Sequence, residues 1–341
     1  FSNLLIFVLL SLSACAVNPV REVVWQDPAY DIVWPEVPDQ PRIRFLQALH
    51  GPSDFKGQGK SAQLITWLFG AKDETLPLLS PFAVTADGAG RVWVTDTGSH
   101  LLYIFDLARK TLDYVQDVNG RELEYPTGLA YDPQRGRIFL ADSSRNFISV
   151  LNEAGEFIAE WQPPGGFQRP AGMTVDLNGN LYVADALAGQ IVVFNAEGKF
   201  QRRIGSQLSE NGRFERPMSV ATGPAGEILV VDAMSFHVEV QSAAGQSLGR
   251  IGRLGDSAGF FARPKGVAVS KAGLVYISDS AFDNIQVFDM TGKLLLYFGT
   301  AGSSVGTFNL PAGLFLDNND RLYVADPYNQ RVQVFQTLAS E

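Results

Sequence analysis

The sequence predicts an all-β fold, a six-bladed β-propeller with four-stranded blades whose ring is closed by an N-terminal strand. Three observations carry this. A proline recurs at Pro81, Pro126, Pro170, Pro217, Pro264 and Pro311. An aspartate ends an apolar run at Asp96, Asp142, Asp185, Asp232, Asp279 and Asp326. The last four prolines are 47 residues apart, and a period in the forties with four short apolar runs per unit belongs to a propeller blade rather than a helical solenoid.

Residues 261–299 display the unit in full. Apolar Phe261 stands three before Pro264, small Gly266 two after it, and Gly273 marks a turn before a run ending in Asp279. A second run (Ile285 to Phe288), a turn closing on Gly292 and a last run (Lys293 to Phe298) complete four strands. The Pro-to-Asp distance is 15 residues in every unit but one, where it is 16, a tighter register than the spacing between repeats, so insertions are expected in the connecting loops.

Two residues after each proline stand Ala83, Gly128, Gly172, Ser219, Gly266 and Gly313, all small. Six first strands converge on the axis, where larger side chains would collide. Six residues before each aspartate stand Gly90, Gly136, Gly179, Gly226, Gly273 and Asp320; a tight hairpin there needs positive φ, free to Gly and tolerated by Asp. The six strand-end aspartates are expected to accept backbone N–H bonds in the following turn. Runs such as LVYIS (274–278) lack clean alternation because neighbouring blades cover both faces.

The N-terminal part divides into three. Residues 1–14 are uncharged and apolar, too short to span a bilayer, and read as an export signal. Leu12, Ser13, Ala14 and Cys15 resemble the lipobox of bacterial lipoproteins, in which the cysteine receives a diacylglycerol; Cys15 is the only cysteine, and modification accounts for it better than a free thiol in an exported protein. Ala16 resembles outer-membrane sorting, facing the periplasm. Residues 15–41 hold Pro19, Pro28, Pro35, Pro38 and Pro41 and read as a tether, with Trp25, Tyr30 and Trp34 packing on the propeller or a lipid surface. The propeller is expected over 42–341. The final unit lacks a fourth strand, and residues 42–51 (RIRFLQALHG) supply it, removing both bare sheet edges. Residues 52–77 form an insertion in which 61–70 carry helical spacing (Leu64 with Leu68, Ile65 with Phe69) behind Ser61, either packed on a rim or presented to a partner.

The segments Gly165–Pro170, Gly212–Pro217, Gly259–Pro264 and Gly306–Pro311 share G-x-F-x-x-P, and with them the chain resembles NHL-repeat proteins over about 78–341. That family often places Arg five residues after the strand-end Asp. Only Arg331 does so here; Leu101, Phe147, Gln190, His237 and Asn284 hold the other five positions.

For function, the net charge of −9 argues against nucleic acid. The second-to-third and inter-blade connections emerge on one face and are the longer set, so binding is expected there. On that face Arg169, Arg216 and Arg263 precede the axial strands of three successive blades, placed to receive a carboxylate or other anion. The resemblance extends to amidating lyases, whose zinc is held by three His, but His50, His100 and His237 lie too far apart in the ring to meet one ion. Gly302, Ser304 and Gly306 match G-x-S-x-G without a strand–turn–helix or a following His, and the 59–61 fragment of a phosphate loop lacks its first Gly. No catalytic residue, metal ligand or cofactor is assigned. The expectation is a monomeric, lipid-anchored cell-envelope propeller that binds a protein, peptide or glycan. A lyase or hydrolase at a metal site in the channel, amidating-lyase-like or gluconolactonase-like, and a structural scaffold remain open alternatives.

Overall fold

Six antiparallel sheets follow one another around an axis in the computed structural model, which describes residues 23–55, 76–206, 208 and 212–338. Blade 1 is built from Pro81–Ala86, Arg91–Asp96, Leu101–Asp106 and Thr111–Val115, and blade 2 from Pro126–Asp132, Arg137–Asp142, Ile148–Asn152 and Phe157–Trp161. Blade 3 runs Pro170–Val175 to Phe200–Ile204, blade 4 Pro217–Thr222 to Ser247–Ile251 and blade 5 Pro264–Val269 to Leu294–Phe298. Five proposed prolines thus open an inner strand, and each recurring Asp closes a second one; in blade 6 the inner strand is shorter, Leu314–Leu316, and Pro311 stands ahead of it.

The ring closes as the strand count requires. Ile43–Leu49 pairs antiparallel with Arg331–Thr337, with Ile43 opposite Thr337, Phe45 opposite Phe335 and Leu49 opposite Val332. Val33–Trp34 then adds a short fifth strand outside it. The described part of the proline-rich segment lies against the propeller: Trp34 packs on Phe298 and Phe335, and Tyr30 meets Phe45 edge-on at 5.8 Å. A two-residue hairpin, Asp117–Val118 with Arg121–Glu122, sits between blades 1 and 2 and was not legible in the repeat. Cys15, the apolar leader and the 61–70 segment lie outside the described residues.

Each pair of neighbouring blades encloses one apolar core. Trp93, Ile138 and Leu151 fill the space between blades 1 and 2, Phe139, Trp161 and Phe194 that between 2 and 3, and Phe261, Ile277 and Phe288 that between 4 and 5. The closing strand contributes Ile43 and Phe45 to the core between blades 5 and 6. The phenylalanines of the four G-x-F segments, Phe167, Phe214, Phe261 and Phe308, are at most 5% exposed. They carry each inter-blade connection into the core, which explains why that residue recurs while its neighbours vary.

The strand-end aspartates do more than hold the following turn. Asp185 accepts the N–H groups of Gln168 and Arg169, Asp232 those of Glu215 and Arg216, and Asp279 those of Ala262 and Arg263. Each carboxylate thus fixes the two residues leading into its own blade's inner strand, and Asp96 does the same for Leu79 and Ser80 while also holding Gly98 and Ser99. Buried charge is tolerated because backbone donors surround it.

Candidate functional site: the central channel and its two mouths

The inner strands set the channel position by position. Two residues past each proline the backbones touch: a Cβ on Gly128 would lie 2.0 Å from the Ala171 carbonyl oxygen, one on Gly172 2.7 Å from that of Met218, and one on Gly313 2.5 Å from that of Phe82. Atoms at these separations cannot coexist, so the smallness of this position follows from contact between adjacent blades. One residue further, Val84, Leu129, Met173, Val220, Val267 and Leu314 line the channel with aliphatic side chains.

That level separates two spaces. Toward the hairpin face lies the wider one, about 260 Å³, bounded also by Tyr131, Val175, Thr222, Val269 and Leu316. The carboxylates at its rim are engaged: Asp87 and Asp176 cap their own turns, and Asp132 accepts from Arg137 at 2.8 Å. Toward the long-loop face the channel narrows to about 50 Å³ among Phe82, Thr127, Met218, Lys265 and Ala312. The larger volume is therefore on the face opposite the one the loop lengths pointed to.

Arg169, Arg216 and Arg263 stand where the sequence put them, at the approach to the inner strands of blades 3, 4 and 5. Their backbones are fixed by the aspartates, and their carbonyls accept from Ala186, Ala233 and Ser280 of the second-to-third turns. None of the three guanidiniums donates a hydrogen bond or joins an ion pair among the described residues; Arg169 and Arg263 are exposed and Arg216 is half-buried. The adjoining turns present Leu187 and Met234, 53% and 60% exposed. Arg331, by contrast, is buried and spent on structure: its Nε donates to Asp326 at 2.9 Å and its terminal nitrogens to the carbonyls of Ser303, Ser304 and Thr307.

Lys265 escaped the sequence reading. It follows Pro264 directly, in a column otherwise made of Phe82, Thr127, Ala171, Met218 and Ala312. One charged residue among five uncharged equivalents was the available signal. Its Nζ lies 5.6 Å from the Phe82 ring centre, and burial first, then the neighbouring Arg263, lowers its pKa from the ordinary lysine value.

The histidines stay apart. His50 faces Asp54 at 3.6 Å, His100 Nδ1 contacts the Glu124 carbonyl, and His237 Nδ1 pairs with the Ser235 carbonyl at 2.9 Å. Among the described residues no three His, Cys, Asp or Glu side chains converge as a metal site would require.

Comparison with known proteins agrees with this geometry. The NHL repeat family matches residues 308–335, where Asp326 and Arg331 pair, and the SMP-30/gluconolactonase/LRE-like region matches residues 58–211. The chain is a six-bladed β-propeller with an NHL repeat in its last blade. It is 31% identical over 144 residues to peptidyl-glycine alpha-amidating monooxygenase A of Xenopus laevis, a stretch that makes up 37% of this chain and 15% of that one. It is 26% identical over 128 residues to protein brain tumor of Drosophila melanogaster, covering 37% of this chain and 12% of that protein. Among solved structures, streptogramin B lyase superposes with a TM-score of 0.57 at 14% identity, over 77% of this chain and 95% of that one. A gluconolactonase of Xanthomonas campestris superposes with a TM-score of 0.59 at 15% identity, over 86% and 98%. At such identities these two share the fold with the NHL propeller.

Proposed function

We propose that this NHL propeller is exported, anchored by a lipid on Cys15 to the cell envelope on the periplasmic side of the outer membrane, and binds an acidic protein or peptide through its long-loop face. The observation that carries the reading is the row of uncommitted guanidiniums, Arg169, Arg216 and Arg263, on three consecutive blades beside the channel mouth. On a chain of net charge −9 such a row is a local reversal of sign, suited to a carboxylate-bearing partner. The exposed Leu187 and Met234 beside it favour a peptide over a glycan, since aliphatic side chains offer apolar contact but no flat face for a sugar ring.

A photoreactive residue in place of Leu187, introduced in the source cells, tests the reading. The expected result is a discrete protein adduct that disappears when Arg169, Arg216 and Arg263 are all changed to alanine. No adduct, or one indifferent to those changes, overturns it, and an adduct that is a glycan reassigns the partner. Metabolic labelling with an alkynyl fatty acid, lost in Cys15→Ser, tests the anchor. The similarity to amidating monooxygenase favours a second reading, a lyase or hydrolase working at the channel. Stoichiometric, tightly held zinc or calcium in the purified protein would shift the choice to it.

A further inference from the structure

We propose that Lys265 seats a carboxylate in the narrow end of the channel, which makes an acid-terminated chain the ligand of the long-loop face. This rests on the binding reading above and adds the chemistry of the group that is bound.

Four observations meet at this residue. Among the described residues Lys265 is the only cationic side chain lining the narrow space. Its ammonium forms no hydrogen bond or ion pair among the described residues, its one specific contact being the Phe82 ring. An ammonium partly withdrawn from water without a counter-ion is destabilised, and an incoming anion offsets that cost. Of the two hydroxyls there, that of Thr127 is already bonded to Ser143 Oγ at 2.6 Å and that of Ser219 carries no charge, so the amine is the charged group that can recognise an anion. Size limits what enters: about 50 Å³, against the roughly 10–15 Å³ of such space that one water needs, fits a carboxylate head. The rest of the ligand then lies outside the mouth, beside Arg263 and the exposed guanidinium row. Two sources offer such a head, the C-terminus of a peptide and the carboxylate of a uronic acid.

The test is titration calorimetry of the full chain with N-acetyl-alanyl-alanine as free acid, the same compound as amide, and glucuronic acid. The free acid binds, the amide binds at least about tenfold more weakly, and Lys265→Met loses about tenfold for the acid at an unchanged Tm. Equal binding by glucuronic acid assigns the head to either source, and its failure assigns it to a peptide end; both support the seat. Acid and amide binding alike, an unaltered Lys265→Met, or no saturable binding below about 10 mM overturns it. Should Lys265→Met fail to fold, acetylation of Lys265 in the wild type decides: saturating acid protects it, and lack of protection overturns the proposal. The two readings fail separately. A lost seat with an intact Leu187 adduct leaves the docking face standing, and an intact seat with no adduct leaves only small-acid binding.

Discussion

The guanidinium of Arg321 lies 3.6 Å from the centre of the Trp25 ring. The same group donates to the Gly88 carbonyl at 3.0 Å and to Asp317 at 3.2 Å. Arg321 begins the second strand of blade 6, Gly88 sits in the first turn of blade 1, and Trp25 belongs to the segment ahead of the closing strand, so one side chain joins all three parts of the seam. Trp25→Ala is expected to lower stability by about 2 kcal/mol, the loss of a desolvated cation–π contact with its packing. Urea denaturation reads this as a lower midpoint at unchanged slope. A midpoint equal to wild type would mean that the segment rests on the ring without securing it.

The inner ring gives a sharper prediction. Gly128→Ala drives a Cβ to 2.0 Å from the Ala171 carbonyl oxygen, a backbone atom that cannot swing aside. Two blades must separate, at about 3 kcal/mol. Gly165→Ala is the control: among the described residues no atom stands within 4 Å of its Cβ, and only its φ of +84° resists, at about 1 kcal/mol. Comparable losses in the two variants would remove blade-to-blade contact as the reason for the small residue.

Arg331→Met leaves the Asp326 carboxylate buried without its cation and takes one donor from each of the Ser303, Ser304 and Thr307 carbonyls. The expected loss is about 3–5 kcal/mol at neutral pH. Burial already raises the Asp326 pKa above the usual carboxylate value, against the lowering effect of backbone donation from Asn309 and of Asn329 and Arg331. A raised folded-state pKa means that the native state binds the proton more tightly than the unfolded chain, so this group favours folding at acid pH and loses that contribution as pH rises through its folded value. Removing Arg331 raises the pKa further. The difference between variant and wild type therefore shrinks as pH falls toward 4, and a pH-independent difference would show that the carboxylate is not what Arg331 serves.

The repeat made the fold legible because its fixed points are those where geometry leaves no choice. Gly128 and its equivalents touch the next blade, Phe261 and its equivalents enter the core, and Asp320 takes φ of +58° where the other blades use glycine. The truncated last unit announced the closing strand for the same reason. What the repeat could not convey was anything that occurs once. The 117–122 hairpin, the contact of Arg321 with Trp25 and the position of Lys265 in the channel all depend on residues with no counterpart in the other blades. Loop length also pointed to the wrong end for volume, since the narrow end is lined by the long side chains of Phe82, Met218 and Lys265.

The Lys265 amine supplies a pH dependence. Burial, then the positive charge of Arg263, holds its pKa below that of an exposed lysine, and the carboxylate seat needs the ammonium form. Phe82, Thr127, Met218 and Ala312 line the same space from blades 1, 2, 4 and 6 and bring no titrating group. Binding of the free acid is thus full at neutral pH and falls with loss of one proton, at a lower pH than the ordinary lysine value of about 10.4. Arg263→Gln removes a like charge, so it moves that decline to higher pH while weakening binding at neutral pH. The unliganded fold behaves in the opposite sense: a lowered lysine pKa means that the unfolded chain holds the proton longer, so stability rises with pH across the same interval. Calorimetry from neutral to alkaline pH on both proteins checks the first statement, and urea midpoints check the second. A decline centred at or above the value of an exposed lysine, or one that Arg263→Gln leaves in place, would place the carboxylate on the outer guanidiniums instead of in the channel.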